Sequence, residues 1–391
     1  MKRLLNIAFN SWFISVIPLL IWIFLSILID PKLINVLSVT YPLVFLYSII
    51  LNIFAQGANI ESNLTKNKES ASSGYFFGIL ITIIIGVIGA VNAKSYTQFM
   101  HMYDVVPYEF VRYSIILLTL TFTFAFILIN LYYDKKAKLS TFLSIFFNLS
   151  ICIGIIIAYQ FFHNYHDFIL LALILPLISI LLLHSWFIKQ MNIISLKKIR
   201  VIKWFRNNSA EVVQDLFFFF LFLVGFRTVF TFSIEFALVI SFITIVSDAS
   251  WDASNAITTN ALIDISSNRF NYKKHRKNAF ILTLLLSLII LIMTFSLMWL
   301  YELNIYLLIL FLSVEFSHLF TSVIYQLKTC QLQLNGNAKI ITTNKVIANV
   351  LRTICSFLPT PFCTLIGQVI SFVYQFISVN IIYRLKSKTS V

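Results

Sequence analysis

The side chains able to do chemistry in this chain are few, and each stands inside or at the edge of a long apolar run. Glu315 lies in Leu312-Ser313-Val314-Glu315-Phe316-Ser317-His318, near the middle of its run, with His318 three residues on. On a helix that spacing places both groups on one face. A carboxylate and an imidazole so placed can pass a proton between them; the plainer alternative is a hydrogen-bonded pair that ties two helices together. Arg352 lies at similar depth in the next run. A lone charge in hydrocarbon costs roughly 2.5 to 3.5 kcal/mol on insertion scales, so a salt bridge with Glu315 is the natural compensation, and it would hold that carboxylate ionised. Binding an anionic head group such as a diphosphate is the other use of an arginine there.

Two further acid pairs mark the ends of runs. Glu211 and Asp215 are i,i+4 at the start of one, where they attract cations at its mouth or simply answer the helix dipole. Asp248 and Asp252 share a face near the end of another, with Trp251 adjacent. Carboxylates beside an aromatic suit an organic cation, although an interfacial tryptophan belt has the same composition. The Phe217 to Phe220 run, in a chain with 40 Phe, reads more simply as packing than as a greasy cavity lining. Pro18, Pro42 and Pro176 kink their runs. His163, Asn164, His166 and Asp167 form a short cluster that resembles a metal site only by coincidence of position. No Gly-rich phosphate loop, HExxH or GxSxG occurs, so neither an enzyme nor a cofactor is expected. Cys152, Cys330, Cys355 and Cys363 have no CxxC or Cys/His spacing, and they read as small packing residues.

The elements that must position these groups follow from composition. Of 391 residues, 59% are hydrophobic and 11% charged, with mean hydropathy +0.90, against about 25% charged in a soluble domain. A soluble fold is excluded. A bilayer span needs roughly 20 mainly apolar residues. Twelve candidates run from Ile7 to Ile29, Leu33 to Phe54, Tyr75 to Val91, Val111 to Leu131, Leu139 to Tyr159, Phe168 to Ile188, Val212 to Val229, Ile234 to Ala253, Ala279 to Leu300, Ile305 to Tyr325, Ile340 to Phe357 and Cys363 to Ile382. The first follows Met1-Lys2-Arg3 like a signal peptide, but it is too long and lacks a cleavage site, so it is expected to be a retained span.

A net charge of +14 belongs in such a chain to cytoplasmic loops rather than to nucleic acid. With the N-terminus inside, 23 of the 29 Lys and Arg face the cytoplasm in unbroken alternation, which predicts a multi-pass cell-membrane protein with both termini cytoplasmic. The longest basic connection divides it into an N-lobe at 1–188, a linker at 189–210 and a C-lobe at 211–391. Ala55-Gln56-Gly57-Ala58-Asn59-Ile60 after span 2 and Ala253-Ser254-Asn255-Ala256-Ile257 after span 8 hold the same place in each half. They favour a parallel six-plus-six repeat.

That loop pair, the Asp30 that ends span 1, and the segment from Tyr325 through Gly336 to Lys339, followed by Asn344 to Arg352, resemble the multidrug and toxic compound extrusion (MATE) family, within a wider group that includes flippases of lipid-linked oligosaccharides. The resemblance implies an all-α fold of two six-helix lobes around a central cavity, working by alternating access with proton or sodium coupling. It also implies that a C-lobe cation site would draw on Asp215 and Glu315. The expected function is export of an amphipathic, cationic compound by a monomer in the lipid bilayer. The rival is flipping of a lipid-linked glycan, which calls for a basic cavity instead. A major facilitator transporter shares the span count but has a loop motif missing between Gly57 and Lys68, and the charges of Glu315 and Arg352 argue against a membrane scaffold or immunity protein.

Overall fold

The computed structural model describes residues 2–134, 136–161, 164–191, 199–233, 256–257, 260–261, 271–301, 304–332 and 337–388. With no water in hydrocarbon, a backbone must satisfy its own hydrogen bonds within each segment, and apolar runs therefore fold as helices. In chain order these are α1 Lys2–Leu28, a 3₁₀ turn Pro31–Ile34, α2 Asn35–Leu51, a π segment Asn52–Gly57, α3 Ala58–Thr65, α4 Glu69–Val91, α5 Ala93–Phe99, α6 Tyr108–Tyr133, α7 Ala137–Gln160 and α8 Tyr165–Gln190. They continue as α9 Val201–Asn207, α10 Ser209–Phe232, α11 Tyr272–Tyr301, α12 Ile305–Leu332, α13 Ala338–Cys355 and α14 Cys363–Lys388. Among the described residues, nine helical stretches are long and apolar enough to cross a membrane. The chain is an all-α, multi-pass membrane protein.

The long helices coincide with the expected spans, except that the eighth, Ile234 to Ala253, lies outside the described residues. Two differences have physical causes. The hydrophilic segment after span 2 is not an open loop: α2 continues through the π segment into α3, because its polar side chains find partners described below. α12 and α14 run past the expected ends to Leu332 and Lys388, since charged residues at a helix end can reach water while the backbone stays helical.

The chain divides into two compact units, residues 20–219 and residues 1–19 with 220–391. In the first, α2 and α3 run alongside α6 in the same direction. Thr40 meets Ser114 at 3.0 Å, Tyr47 meets Thr119 at 2.8 Å, and Asn59 donates to Asn130 Oδ1 at 3.1 Å. Such interhelical bonds hold helices together in lipid, where the hydrophobic effect gives them no preference for one another. Trp22, Phe110 and Tyr113 add edge-to-face contacts with centroids 6.0 to 6.2 Å apart.

In the second unit α12 and α14 are likewise co-directional, joined by Glu315 to Gln368 and, further along both helices, by Lys328 to Asn380. α13 and α14 meet at backbone distance. A Cβ on Gly367 would stand 2.7 Å from the Arg352 carbonyl oxygen, so only glycine permits that approach. α13 is inverted relative to a soluble helix: Asn344 and Asn349 are buried while Ile340, Ile347 and Ile354 are exposed, as suits a polar face turned inward and an apolar face turned to lipid.

Candidate functional site

Two helices of the second unit meet at Glu315. Glu315 and His318 are both buried on α12, and α14 brings Gln368 opposite them. The Gln368 side-chain amide donates to Glu315 Oε1 at 2.6 Å and lies 3.3 Å from His318 Nδ1. Tyr325, two turns beyond on α12, holds its hydroxyl 3.3 Å from His318 Nε2. Phe372, one turn beyond Gln368, stacks on the imidazole at 5.2 Å with the planes 19° apart. The network assigns the tautomer. With the amide hydrogens shared between Glu315 and Nδ1, Nδ1 accepts and Nε2 carries the proton toward Tyr325 Oη. Protonating His318 would set a new Nδ1 hydrogen against the Gln368 amide, so the two titrating groups are linked through one side chain.

Arg352 belongs to the same constellation. Its carbonyl faces Gly367, the residue before Gln368. Its guanidinium lies 5.7 Å from the Phe222 ring centroid, a cation–π geometry. The sequence singles out Glu315, His318 and Arg352, and the fold gathers their backbones around Gln368.

Asp215 lies in the first unit. Asn52, which opens the π segment, donates to Asp215 Oδ2 at 2.6 Å, and the Asn208 amide reaches Asn52 Oδ1 at 3.1 Å and Gln56 Oε1 at 3.4 Å. Beside this amide cluster α9 docks onto the π segment. Trp204 is fully buried, donates from Nε1 to Ser70 Oγ at 2.7 Å and packs edge-on to Phe54. A Cβ on Gly57 would stand 2.2 Å from the Trp204 carbonyl oxygen. Asn207 donates to the Gly57 carbonyl at 3.2 Å, and the buried Glu61 pairs with Arg200 at 3.3 Å and Lys203 at 3.8 Å. Part of the basic linker is therefore built into residues 20–219.

Asp248, Trp251 and Asp252 lie outside the described residues. Asp30 accepts from the Lys32 amide at 2.9 Å, capping the 3₁₀ turn. Asn164 and Asp167 form the N-terminal cap of α8, which accounts for two members of the His163 to Asp167 cluster. Gln368, Tyr325, Asn52, Asn208, Glu61 and Trp204 were not among the sequence candidates. Gln368 had the clearest signal, an amide within an otherwise apolar run.

No family model matches the chain, and neither does any curated protein. Solved structures do. An outward-facing conformation of a multidrug resistance MATE family transporter of the MOP superfamily is similar with TM-score 0.68 and 12% identity, covering 99% of this chain and 96% of that one. An inward-facing conformation of such a transporter is similar with TM-score 0.62 and 12% identity, covering 100% and 96%. A MOP superfamily transporter from Pyrococcus furiosus, described by the reverse polarity of its binding pocket, is similar with TM-score 0.70 and 10% identity, covering 98% and 96%. The fold is that of an all-α polytopic membrane protein. More particularly, it is the fold of MATE transporters of the MOP superfamily.

Proposed function

We propose that this chain is a secondary active exporter of amphipathic cationic compounds, working as a monomer in the cell membrane by alternating access with proton or sodium antiport. The observation that carries the reading is the buried Glu315–Gln368–His318–Tyr325 network within a membrane span. A carboxylate kept there costs stability, and its retention despite that cost points to a use. Here it shares a hydrogen-bond donor with an imidazole that can take up a proton. Protonation from one side and release to the other would change what Gln368 can donate to, and so would reset α14 against α12. Similarity to both outward- and inward-facing transporters supports two-state operation of this fold.

The test is efflux of an organic cation dye from vesicles holding the purified protein, under an imposed pH or sodium gradient. Glu315→Gln should keep the fold, because the amide retains shape and most hydrogen bonds, and should abolish gradient-driven efflux; Glu315→Asp should keep part of it. Undiminished efflux by Glu315→Gln would remove Glu315 from coupling and shift attention to Asp215 or Asp248.

A second reading, flipping of a lipid-linked glycan, is favoured by one observation. Lys345 and Arg352 share a face of α13 at i,i+7, beside the inward-turned Asn344 and Asn349. A basic, amide-rich stripe suits phosphate better than an organic cation. Gradient-independent movement of a lipid-linked sugar by the reconstituted protein would select this reading over efflux.

A further inference from the structure

α9 turns one face to the protein and exposes another. On the first, Trp204 is fully buried and Asn207 donates to the Gly57 carbonyl. On the second, Val201, Ile202 and Phe205 are exposed, Ile202 to 84%, and Ile199 just ahead of the helix is exposed as well. At 3.6 residues per turn, Val201, Ile202 and Phe205 fall within an arc of about 100°, opposite Asn207. Arg206, also exposed, stands one turn beyond Ile202 at the edge of that arc. A helix with an apolar face bordered by basic residues suits a membrane surface better than water.

The contacts of α9 set its depth. Trp204 packs edge-on to Phe54 and bonds Ser70, the second residue of α4, while Asn208, directly after α9, bonds Asn52. Phe54 ends an apolar run and Glu69 opens the next helix, so α9 lies where hydrocarbon gives way to head groups, the level at which tryptophan is enriched. α10 sets out into the apolar region again from Ser209. Charge agrees with that level: residues 189–208 hold six Lys and Arg and no acid. Glu61 pairs with Arg200 and Lys203 on the protein side of α9, whereas Arg206 stands nearer the apolar arc.

We propose that α9 is an interfacial anchor, whose Ile202 and Phe205, flanked by Ile199 and Val201, sit among the head groups and upper acyl chains on the side where α8 ends and α10 begins. Arg206 meets the phosphates of anionic lipids there, since a basic residue beside such a surface is drawn to it. The connection between α8 and α10 is then held from two sides, by the protein through Trp204 and by lipid through Ile202 and Phe205.

The test uses the full-length protein with its four native cysteines replaced, carrying a nitroxide label on Ile202→Cys or Phe205→Cys. It would be reconstituted into vesicles of phosphatidylcholine with or without phosphatidylglycerol. Collision of the label with oxygen, which concentrates in lipid, is compared with collision with a water-soluble nickel chelate. Lys68→Cys is the aqueous reference, because Lys68 is exposed just ahead of α4 at the same level. At Ile202→Cys and Phe205→Cys the oxygen-to-nickel ratio should be several-fold above that of the reference and should rise further with phosphatidylglycerol. Arg206→Gln should weaken the phosphatidylglycerol effect roughly five-fold, as expected for one surface charge. A ratio at both positions equal to that of Lys68→Cys would place the face in water and overturn the proposal. Little collision with either reagent would show that protein covers the face, whether from this chain or another, and would overturn it equally. Indifference to both phosphatidylglycerol and Arg206→Gln would overturn the role given to anionic lipid.

Discussion

A carboxylate within a membrane span is governed by its neighbours, and Glu315 has an amide donor against it and an imidazole three residues along its own helix. The Gln368 bond is made to an ionisable oxygen and is of the stronger, charge-assisted kind whenever Glu315 is ionised. Gln368→Leu should therefore cost about 1 to 3 kcal/mol, the penalty for stranding a buried polar group, read as a lower thermal midpoint of the purified protein. Arg352 sets a further expectation. If it and Glu315 compensate one another, replacing either alone should reduce folded protein, and exchanging the two should partly restore it. Arg352→Met as abundant and stable as the parent would show that they are independent. Glu315, His318 and Arg352 were legible in the sequence because a charged or titratable side chain in an apolar run stands out by composition alone. Gln368 was passed over because an uncharged amide breaks a hydropathy pattern only weakly, and because its importance comes from standing opposite Glu315, which is a fact of tertiary packing.

At the scale of elements, hydropathy located the spans because each apolar run must close its own hydrogen bonds in lipid. It did not locate α9. Val201–Asn207 reads as part of a basic connection, and the segment after span 2 reads as a polar loop, yet the two satisfy one another through Trp204, Asn207, Arg200, Glu61 and the Gly57 carbonyl. Hydrophilicity was read as exposure, when it was in fact a matched set of donors and acceptors. Trp204→Ala should cost roughly 3 to 5 kcal/mol, the range for removing a large buried aromatic. Gly57→Ala should release the same contact from the other side, since its methyl group would meet the Trp204 carbonyl oxygen at 2.2 Å. Limited proteolysis provides the readout: both variants should be cut near Arg200 to Arg206 faster than the parent, at unchanged cutting elsewhere. Equal protection of Trp204→Ala would mean that α9 is held by its ion pairs alone.

For the whole molecule, the distribution of basic residues carries an orientation that the helices are compatible with but do not by themselves determine. Spans 2 and 4 pack co-directionally through Thr40–Ser114 and Tyr47–Thr119, and spans 10 and 12 through Glu315–Gln368 and Lys328–Asn380. Both pairs have even-numbered members, as alternate crossing requires. Co-direction fixes which helix ends share a side without saying which side is the cytoplasm. That remaining choice rests on the positive-inside rule, under which the eleven Lys and Arg between Lys189 and Arg206 and between Arg269 and Lys277 dominate. Single cysteines introduced at exposed positions of these two connections, in a background stripped of the four native ones, should resist an impermeant thiol reagent applied to intact cells and react after permeabilisation. Cysteines near Lys94 or Tyr306, at the opposite helix ends, should react from outside. Inverted labelling of all four would reverse the orientation while leaving the helix pairing intact. Inversion of one half alone would break the parallel repeat and require a different number of spans in the region around Ile234 to Ala253.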